Sequence, residues 1–316
     1  MGLVRFLARR LLLTVPVLFG MSVIVFLLIR LVPGDPAQVI LGLRATPEGL
    51  AAIHRDLGLD LPLHLQYVQW LENFVTGNMG KDYRSNVPVT VLLRQRLPVT
   101  IELAAVSMLL SVLIALPLGV AAAVRRGGTA DRAATLLGLV GISIPDFWLA
   151  IMLILFVALG MGVLPSSGFR PLLEDVAGNL RSLLLPAVTL AAGLAAVLVR
   201  MTRASMAEVL NREYIRFTRA KGLRERMVVY KHALRNASIP IITVIGLQSG
   251  YLLGGAVIVE QVFDLPGLGS LTVNATLERN YPVVQATAMV IGLMFVAVNL
   301  ATDVAYALLN PRIRAE

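Results

Sequence analysis

The sequence contains no cysteine and few charged residues. Without cysteine there is no disulfide framework, no thiolate metal site and no cysteine nucleophile. Only 15% of the 316 residues are charged and 57% are hydrophobic, whereas a soluble domain usually carries about 25% charged residues. The mean hydropathy is +0.78. Because so few charges could not cover the surface of a soluble protein of this length, we predict an all-α membrane protein.

Long apolar runs predict the transmembrane helices, since crossing about 30 Å of hydrocarbon takes roughly 20 helical residues. Five uncharged runs meet or approach this length, and a sixth is interrupted once, by Asp146. The first run is too long for a signal peptide and lacks a small-residue cleavage site after it, so we expect a retained helix. Six spans put both termini on one side. The runs cover 11–29, 103–124, 133–159 (the interrupted one), 182–199, 236–259 and 281–302.

The distribution of basic residues orients these spans. Eighteen of the 28 lysines and arginines lie in the N-terminus, the loop after the second span, segment 200–235 and the C-terminus. Six spans place all four segments on the same face. The positive-inside rule therefore predicts that both termini and the 200–235 loop are cytoplasmic. It also attributes the net charge of +9 to cytoplasmic loops rather than to nucleic-acid binding.

The chain divides into four predicted parts: 1–31 with the first span, an external region 32–98, a core 99–309 with five spans, and a tail 310–316. In the external region, Thr46 and Pro47 favour a helix start, and Gly58 favours its end. A second amphipathic stretch, 63–74, is predicted to form a helix with its apolar residues on one stripe. We interpret the region as a helical cap; the alternative is a linker lying on the membrane. The stripe comprises Leu63, Tyr67, Trp70, Leu71 and Phe74.

The loop 204–237 has the pattern helix, glycine turn, helix. Gly222 suits the left-handed position that ends a helix. Three interpretations compete: a basic surface on anionic lipid, a nucleic-acid reader, or a docking element for a cytoplasmic partner. Helix-turn-helix readers are not normally held between two spans, which disfavours the second. The first helix carries an apolar stripe of Met206, Leu210, Tyr214 and Phe217, and the second, predicted at 224–234, offers Met227, Val228 and Tyr230.

This loop resembles the EAA loop of ABC-importer permeases, more narrowly that of the dipeptide/oligopeptide/nickel family. The resemblance rests on Ala220-Lys221-Gly222-Leu223, then eight residues, then His232-Ala233-Leu234-Arg235-Asn236, although Arg216-Phe217-Thr218 stands where the broad pattern has Glu-Ala-Ala. Arg279-Asn280-Tyr281-Pro282 and segment 310–314 are similar to family motifs that more often carry Asp at positions 280 and 310. Further similar motifs are Pro33-Gly34-Asp35-Pro36, Leu57-Gly58-Leu59-Asp60, Gln66-Tyr67, Trp70-Leu71, Leu97-Pro98-Val99-Thr100-Ile101-Glu102-Leu103, Ser143-Ile144-Pro145-Asp146-Phe147-Trp148 and Phe263-Asp264-Leu265-Pro266-Gly267-Leu268-Gly269.

The resemblance implies a first-type (B-like) permease with the type I importer fold, in the bacterial cytoplasmic membrane. Its expected partners are a homologous second permease, two cytoplasmic ATPases and an external substrate-binding protein. The implied substrates are di- or oligopeptides; nickel chelates, glutathione and oligosaccharides are the alternatives. The EAA loop is expected to place a coupling helix in a cleft of one ATPase. The expected contact residues are Glu213, Tyr214, Phe217, Ala220, Gly222, Leu223 and His232.

Nucleotide and metal chemistry is not expected on this chain. No G-x-x-x-x-G-K-[ST] motif is present, so ATP and magnesium are expected on separate ATPase subunits, and the chain is predicted not to be an enzyme. Gly267 and Gly269 lack the third glycine of a dinucleotide fingerprint and are predicted to form an external turn. His54 and His64 have no carboxylate or cysteine cluster around them, so neither a metal nor another cofactor is predicted.

Polar residues within the spans are candidates for a substrate pathway. Asp146 could contact a peptide ammonium, or accept hydrogen bonds from backbone freed at the Pro145 kink. Gln248 and Asn299 could line the pathway or join helices by hydrogen bonds. Asp303 is expected to pair with a loop arginine. Two acids near the outer face, Asp35 and Glu102, could receive the binding protein or a peptide ammonium; the alternative is a cap or surface role.

Two other function classes remain to be compared. A secondary transporter predicts paired broken helices in inverted halves and ionisable residues at matching depths. The spans contain one acid near mid-membrane and no convincing internal repeat. An intramembrane enzyme needs a catalytic constellation at a common depth. None of the three histidines lies in a span, which disfavours this class.

Overall fold

The computed structural model describes residues 3–31, 37–38, 46–56 and 60–309, and these residues are helical apart from turns and one isolated β-bridge between Lys81 and Pro88. An all-helical membrane protein is therefore confirmed in outline. The described helices are α1 (Leu3–Leu31), α2 (Pro47–Asp56), α3 (Leu63–Thr76), α4 (Val89–Val124), α5 (Thr129–Ser143), α6 (Asp146–Gly160), α7 (Val176–Leu210), α8 (Glu213–Ala220), α9 (Glu225–Val262), α10 (Leu268–Leu277) and α11 (Tyr281–Leu309).

Five of the described helices are long and apolar enough to cross a membrane: α1, α4, α7, α9 and α11. The predicted run 133–159 is divided between α5 and α6, which are bent by 101° at the break. The break follows from Pro145, whose ring disfavours helical backbone at the preceding residue, and Ile144 is accordingly extended. The described residues thus contain five candidate spans, or six if the bent pair counts as one.

Helix α7 forms the centre of the bundle. In its most apolar window 72% of the residues are buried, against 17% in α1. Asp175 caps its first turn by accepting a hydrogen bond from Gly178 N–H at 2.8 Å. Small residues let its neighbours approach closely: a Cβ at Gly119 of α4 would lie 2.6 Å from Thr202 Cβ, and one at Gly141 of α5 would lie 2.8 Å from Ala196 Cβ.

The segment between the first two spans contains α2 and α3, as predicted. Leu50 N–H donates to Thr46 O at the start of α2, whereas the predicted end at Gly58 and the Pro33–Pro36 motif with Asp35 lie outside the described residues. Helix α3 packs on α1 through half-buried aromatic side chains, while Leu63, predicted in the same stripe, is exposed. Arg30 donates two hydrogen bonds to Gln66 Oε1, at 3.1 and 2.6 Å. The aromatic cluster comprises Phe19, Phe26, Tyr67, Trp70 and Phe74.

Helix α4 is longer than a span requires. Its 36 residues extend about 54 Å at 1.5 Å per residue, well beyond about 30 Å of hydrocarbon. Its first turns bury Val89 and Leu93 against Leu268 of α10 and Val283 of α11. The predicted boundary between the external region and the core, at 98/99, falls inside this continuous helix. Residues on both sides of the boundary therefore belong to one helix.

Candidate functional site

The α7–α9 connection is a compact structure that we call the loop knob, residues 213–236. Helix α8 ends where Gly222 takes φ +76°, and Gly222 N–H donates to Arg219 O at 2.9 Å. The prediction that Gly222 occupies a left-handed, helix-ending position is confirmed. Only glycine adopts this conformation without strain, so the turn geometry depends on residue 222.

The predicted continuous stripe from Met206 to Phe217 is wrong. Helix α7 ends at Leu210, Arg212 is extended, and α8 begins afresh at Glu213. Met206 is buried as expected, but Phe217 is 62% exposed, and the residue that α8 buries completely is Ile215. The interruption rotates α8, which a stripe counted through residues 211–212 cannot anticipate. Ile215 belongs to a buried apolar cluster with Val120 of α4 and Met206 of α7, which packs the knob against these two helices.

The second predicted helix starts at Glu225 but continues into α9 without a stop. Its segment Val228–Ala233 is π-helical, and a π-helical turn changes the angle between successive side chains. Val228 is buried as predicted and Val229 is buried beside it, whereas Met227 and Tyr230 are exposed. The prediction that all three apolar residues pack was therefore correct only for Val228.

Polar contacts fasten the loop knob. Arg219 donates to both carboxylate oxygens of Glu225, at 3.1 and 2.7 Å. Asn236 Nδ2 donates to Tyr214 Oη and to His232 O, both at 2.9 Å. These contacts join α8 to α9 across the Gly222 turn. Because these contacts fix α8 relative to α9, the knob transmits a displacement better than a flexible linker would.

Several large apolar side chains of the loop knob are exposed among the residues that the structure describes. An apolar surface of this kind marks an interaction site. All seven predicted contact residues lie on the knob: Glu213, Tyr214, Phe217, Ala220, Gly222 and Leu223 are exposed and His232 is half-buried. Two further apolar residues of the knob, Met227 and Tyr230, are exposed but were not among the predicted contacts. The exposed apolar set is Tyr214, Phe217, Leu223, Met227 and Tyr230.

Asp146 stands at the first position of α6, at the 101° break. A carboxylate there is favoured by the N-terminal end of the helix dipole. Its Oδ2 accepts a hydrogen bond from Tyr251 Oη at 3.1 Å. Glycines face it: a Cβ at Gly255 would lie 3.4 Å from Oδ2, and one at Gly193 would lie 3.8 Å from Oδ1. The half-buried carboxylate therefore lies where α6, α7 and α9 meet, with small residues around it.

The other two pathway candidates lie in different places. Gln248 is three residues before Tyr251 on α9, so it shares the face of that helix that approaches Asp146. Asn299 instead lines a groove between α1, α9 and α11, together with Arg10 and Asp303. Gln248 thus shares a helix face with Tyr251, the hydrogen-bond partner of Asp146, whereas Asn299 lies in a different groove.

Glu260 is a polar site that sequence analysis missed. Its side chain is fully buried. Thr100 Oγ1 donates to Oε1 at 2.6 Å, Ser270 N–H donates to Oε2 at 3.0 Å, and Gly269 N–H also donates to the carboxyl group. A Cβ at Gly267 would lie 2.2 Å from Glu260 Cδ. The two glycines therefore let the backbone wrap around a carboxyl group. The sequence pattern that could have revealed this site is a glutamate directly after an apolar run, followed within ten residues by Pro-Gly-Leu-Gly.

Several other predicted residues have partners within the chain. Glu102 Oε2 accepts from Asn179 Nδ2 at 2.8 Å. Asp303 pairs at 3.1 Å with Arg10, which lies on α1 rather than in a loop. His54 lies 3.9 Å from Asp60. Among the described residues, no group of three or more His, Asp or Glu could hold a metal ion.

Asp82 organises the turn before α4. Burial alone would raise its pKa, but hydrogen bonds from Arg84 N–H, Ser85 and Asn280 hold the pKa of Asp82 below its usual value. Arg84 pairs with Glu278 at 2.6 Å. Because Asn280 and Glu278 lie at the α10–α11 turn, these contacts attach the 79–88 segment to that turn.

Comparisons with known proteins agree with this geometry. Residues 115–315 match the family described as the inner membrane component of binding-protein-dependent transport systems, and residues 3–104 match its N-terminal family. The chain is 42% identical over 309 residues to a protein of Sinorhizobium fredii named as a peptide ABC transporter permease, covering 98% of this chain and 99% of that one. It is 41% identical over 312 residues to the glutathione transport system permease of Salmonella choleraesuis, covering 99% of each chain.

The fold also matches a solved structure. A methionine ABC transporter in inward-facing conformations superimposes with a TM-score of 0.58 at 22% identity, over 69% of this chain and 96% of that chain. At this identity the match concerns the fold alone. The fold of this chain resembles that of an ABC transporter permease. The two family matches together span nearly the whole sequence. The chain therefore belongs to the family of inner membrane components of binding-protein-dependent transport systems.

Proposed function

We propose that this chain is the first-type permease subunit of an ABC importer that moves di- or oligopeptides into the bacterial cytoplasm. The high identity to proteins named as peptide permeases supports the substrate class, and the glutathione permease among the relatives supports a peptide-like substrate. As a membrane component the chain is not the catalytic subunit. ATP and magnesium are assigned to two cytoplasmic ATPases, and a second permease and an external binding protein complete the system.

The proposed topology has six spans, with the bent pair α5–α6 counted as one and both termini cytoplasmic. The positive-inside distribution supports it, because only an even number of spans collects the four basic segments on one face. We assign residues 1–31 to the first span, 32–98 to the external cap region, 99–309 to the permease core and 310–316 to a cytoplasmic tail. A type I importer fold is the corresponding fold assignment.

The exposed apolar surface of the loop knob carries the assignment of an ATPase partner. A folded knob held by Arg219–Glu225 and Asn236–Tyr214 contacts, with aromatic residues left uncovered, suits insertion into a groove of another protein. The proposed contact residues are Glu213, Tyr214, Phe217, Ala220, Gly222, Leu223 and His232, to which we add Met227 and Tyr230. Closure of the ATPases would then displace the knob and bias the spans between two states.

Co-purification tests this assignment. The chain is tagged, expressed with its neighbouring genes and purified in mild detergent, and retained ATPase is quantified. Gly222→Pro should abolish retention, because proline cannot adopt φ +76° and loses the N–H donated to Arg219 O. Gly162→Pro makes the same change at another left-handed glycine, in the α6–α7 connection on the opposite proposed face, and should retain the ATPase. If the wild type retains no ATPase while the second permease stays bound, the proposal fails.

Asp146 is proposed to contact the ammonium of a peptide in transit, with Gln248 beside it. The hydrogen bond to the exposed Tyr251 and the facing glycines support an accessible carboxylate rather than one consumed by backbone at the kink. In proteoliposomes, Asp146→Asn should slow transport of peptides with a free amino terminus more than transport of N-acetylated peptides. Tyr251→Phe is the matched control, because it removes the neighbouring hydroxyl but keeps the carboxylate. Equal slowing of both peptide classes would make Asp146 structural.

A further inference from the structure

A groove of about 570 Å³ lies between α1, α9 and α11, and its lining includes neither Asp146 nor a residue of the loop knob. Its volume is in the range of pockets that hold a small molecule. One end is polar and contains the Arg10–Asp303 pair, with the Asn299 amide beside it. The opposite end is apolar. The groove therefore offers two chemically different ends to one ligand.

The polar end is rich in hydrogen-bond acceptors. The hydroxyls of Thr14, Thr243 and Thr302 each donate to a carbonyl of their own helix, at 3.0, 3.1 and 2.9 Å. A hydroxyl whose hydrogen is used in this way offers only lone pairs to a ligand. Asp303 adds two carboxylate oxygens. Acceptors that converge in this way suit a ligand with several N–H groups, such as a primary ammonium.

The positive group at this end is Arg10, whose guanidinium lies 3.1 Å from Asp303. A ligand that carries both an anionic and an ammonium group would match the pair, since phosphate suits a guanidinium and ammonium suits a carboxylate. A purely anionic ligand would meet Asp303 and the three hydroxyl oxygens without donors to offer them. Charge complementarity therefore favours a zwitterion.

The apolar end lies deeper in the membrane. Val17 is about 10 Å from Arg10 along α1, and Phe295 is about 12 Å from Asp303 along α11, at 1.5 Å per residue. Leu247 also lines the groove and is 70% exposed. With cytoplasmic termini, the polar end stands at the inner membrane surface and the apolar wall faces acyl chains. A lipid of the cytoplasmic leaflet has the same polarity profile along the membrane normal.

We propose that this groove binds one zwitterionic phospholipid of the cytoplasmic leaflet with a primary ammonium headgroup, that is, phosphatidylethanolamine. The ammonium lies against Asp303 and the threonine oxygens, the phosphate against Arg10, and one acyl chain along Leu247 and Phe295. The lipid stabilises the contact of α1 with α11 and fills the groove between these helices and α9. The leaflet assignment rests on the topology of the proposed function; the headgroup assignment rests on the groove alone.

Lipid retention by the purified importer complex tests the site. The complex is equilibrated with phosphatidylethanolamine, phosphatidylcholine and phosphatidylglycerol at equal fractions, and lipid retained per complex is measured by native mass spectrometry. Phosphatidylcholine keeps the charge but has no N–H, and phosphatidylglycerol has no ammonium. Retention of phosphatidylethanolamine should exceed that of either by about tenfold, the effect of one charge-assisted hydrogen bond.

Two variants and a control locate the lipid. Asp303→Asn should lower retention of phosphatidylethanolamine about tenfold, and Leu247→Trp should abolish it by filling the groove while both members of the ion pair are kept. Glu208→Gln is the matched control, because it neutralises the carboxylate of another arginine pair, on the exposed end of α7, and should change nothing. Since the chain has no cysteine, Leu247→Cys gives one thiol whose alkylation by a membrane-permeant maleimide should be slowed by phosphatidylethanolamine.

Four outcomes would overturn the site. They are equal retention of the three lipids, retention unchanged by Leu247→Trp, cross-linking of Leu247→Cys to the second permease, and displacement of the lipid by transported peptide. The last would assign the groove to substrate, and the third to the subunit interface. Failure of the proposed function is read separately, from ATPase retention by the wild-type chain in the same preparation, because lipid binding to this groove needs no ATPase.

Discussion

The α9–α10 turn and the loop knob lie at opposite ends of α9 and differ in which of their side chains are buried. At the turn, polar groups are enclosed: Glu260 accepts from Thr100 and from two backbone N–H groups. At the knob, polar contacts hold the backbone shape, but Phe217 and Tyr230 remain 62% and 55% exposed. The turn is complete within the described residues, whereas the knob has apolar side chains that the described residues leave exposed.

From this difference we expect the turn to contribute mainly to the stability of the fold and the knob mainly to the binding of a partner. Removing an enclosed group leaves buried donors unpaired, so the cost appears in folding. Removing an exposed apolar group costs little in the isolated chain, because that group was in solvent already. Substitutions at the turn should therefore destabilise the fold, and substitutions on the knob should weaken assembly.

The largest expected effect is at the Glu260 turn. Gly267→Ala would place a Cβ 2.2 Å from Glu260 Cδ, and Glu260→Ala would leave Thr100 and two N–H groups without their acceptor. Each should destabilise the fold by about 3–5 kcal/mol, as buried unpaired groups and a cavity do. The measurement is the thermal unfolding midpoint of the detergent-solubilised chain. Gly254→Ala, where nothing lies within 4 Å of the added Cβ, is the control.

The next effect is on the knob. Phe217→Ala combined with Tyr230→Ala should weaken ATPase retention by about 2 kcal/mol or more, the range of interfacial aromatic residues. The unfolding midpoint should hardly change. Leu277→Ala truncates a residue that is 78% exposed at the end of α10, and serves as the control for exposed apolar truncation. A large drop in the midpoint without loss of the ATPase would reverse the contrast between the two regions.

A smaller effect is expected at the second polar turn, where Asn280 Nδ2 donates to Asp82 Oδ1. Asn280→Asp removes the donor and sets two carboxylates together, which should cost about 1–2 kcal/mol. The same substitution restores the residue more common in the resembled motif, so the result also shows whether this chain has adapted position 280 to Asp82. The check is the unfolding midpoint at neutral pH, compared with Asn280→Ala. If the aspartate variant is as stable as the wild type, the contact is not important.

The smallest effect is a pH dependence at Asp82. Hydrogen bonds lower its folded-state pKa, so the stability that it contributes is present above the unfolded value, about 3.9, and is lost as pH falls through the lower folded value. The difference in unfolding midpoint between wild type and Asp82→Ala should therefore be full at pH 6 and shrink below about pH 4. A difference independent of pH down to 3 would show that the contacts do not depend on the carboxylate charge.

Much of the fold could be predicted because each signal was local. Apolar run length located the five long apolar helices, and Gly222 marked a left-handed turn. The knob stripe was wrong because it assumed one helix through Asn211 and Arg212, where α7 ends. Ile215 was overlooked for the same reason: burial depends on how α8 is rotated, and that rotation follows from packing on α4 and α7.

The sequence by itself determined that this is a membrane protein, where its long apolar helices lie and where the glycine turn of the loop knob falls, because hydrophobic length and a glycine that must take positive φ are properties of the chain alone. Tertiary structure decided which polar residues meet. Glu260 accepts a hydrogen bond from Thr100, which is 160 residues away in the sequence. Arg10 of α1 pairs with Asp303 of the neighbouring helix α11. Such pairs depend on helix rotation and depth, which the packing of all the helices sets together.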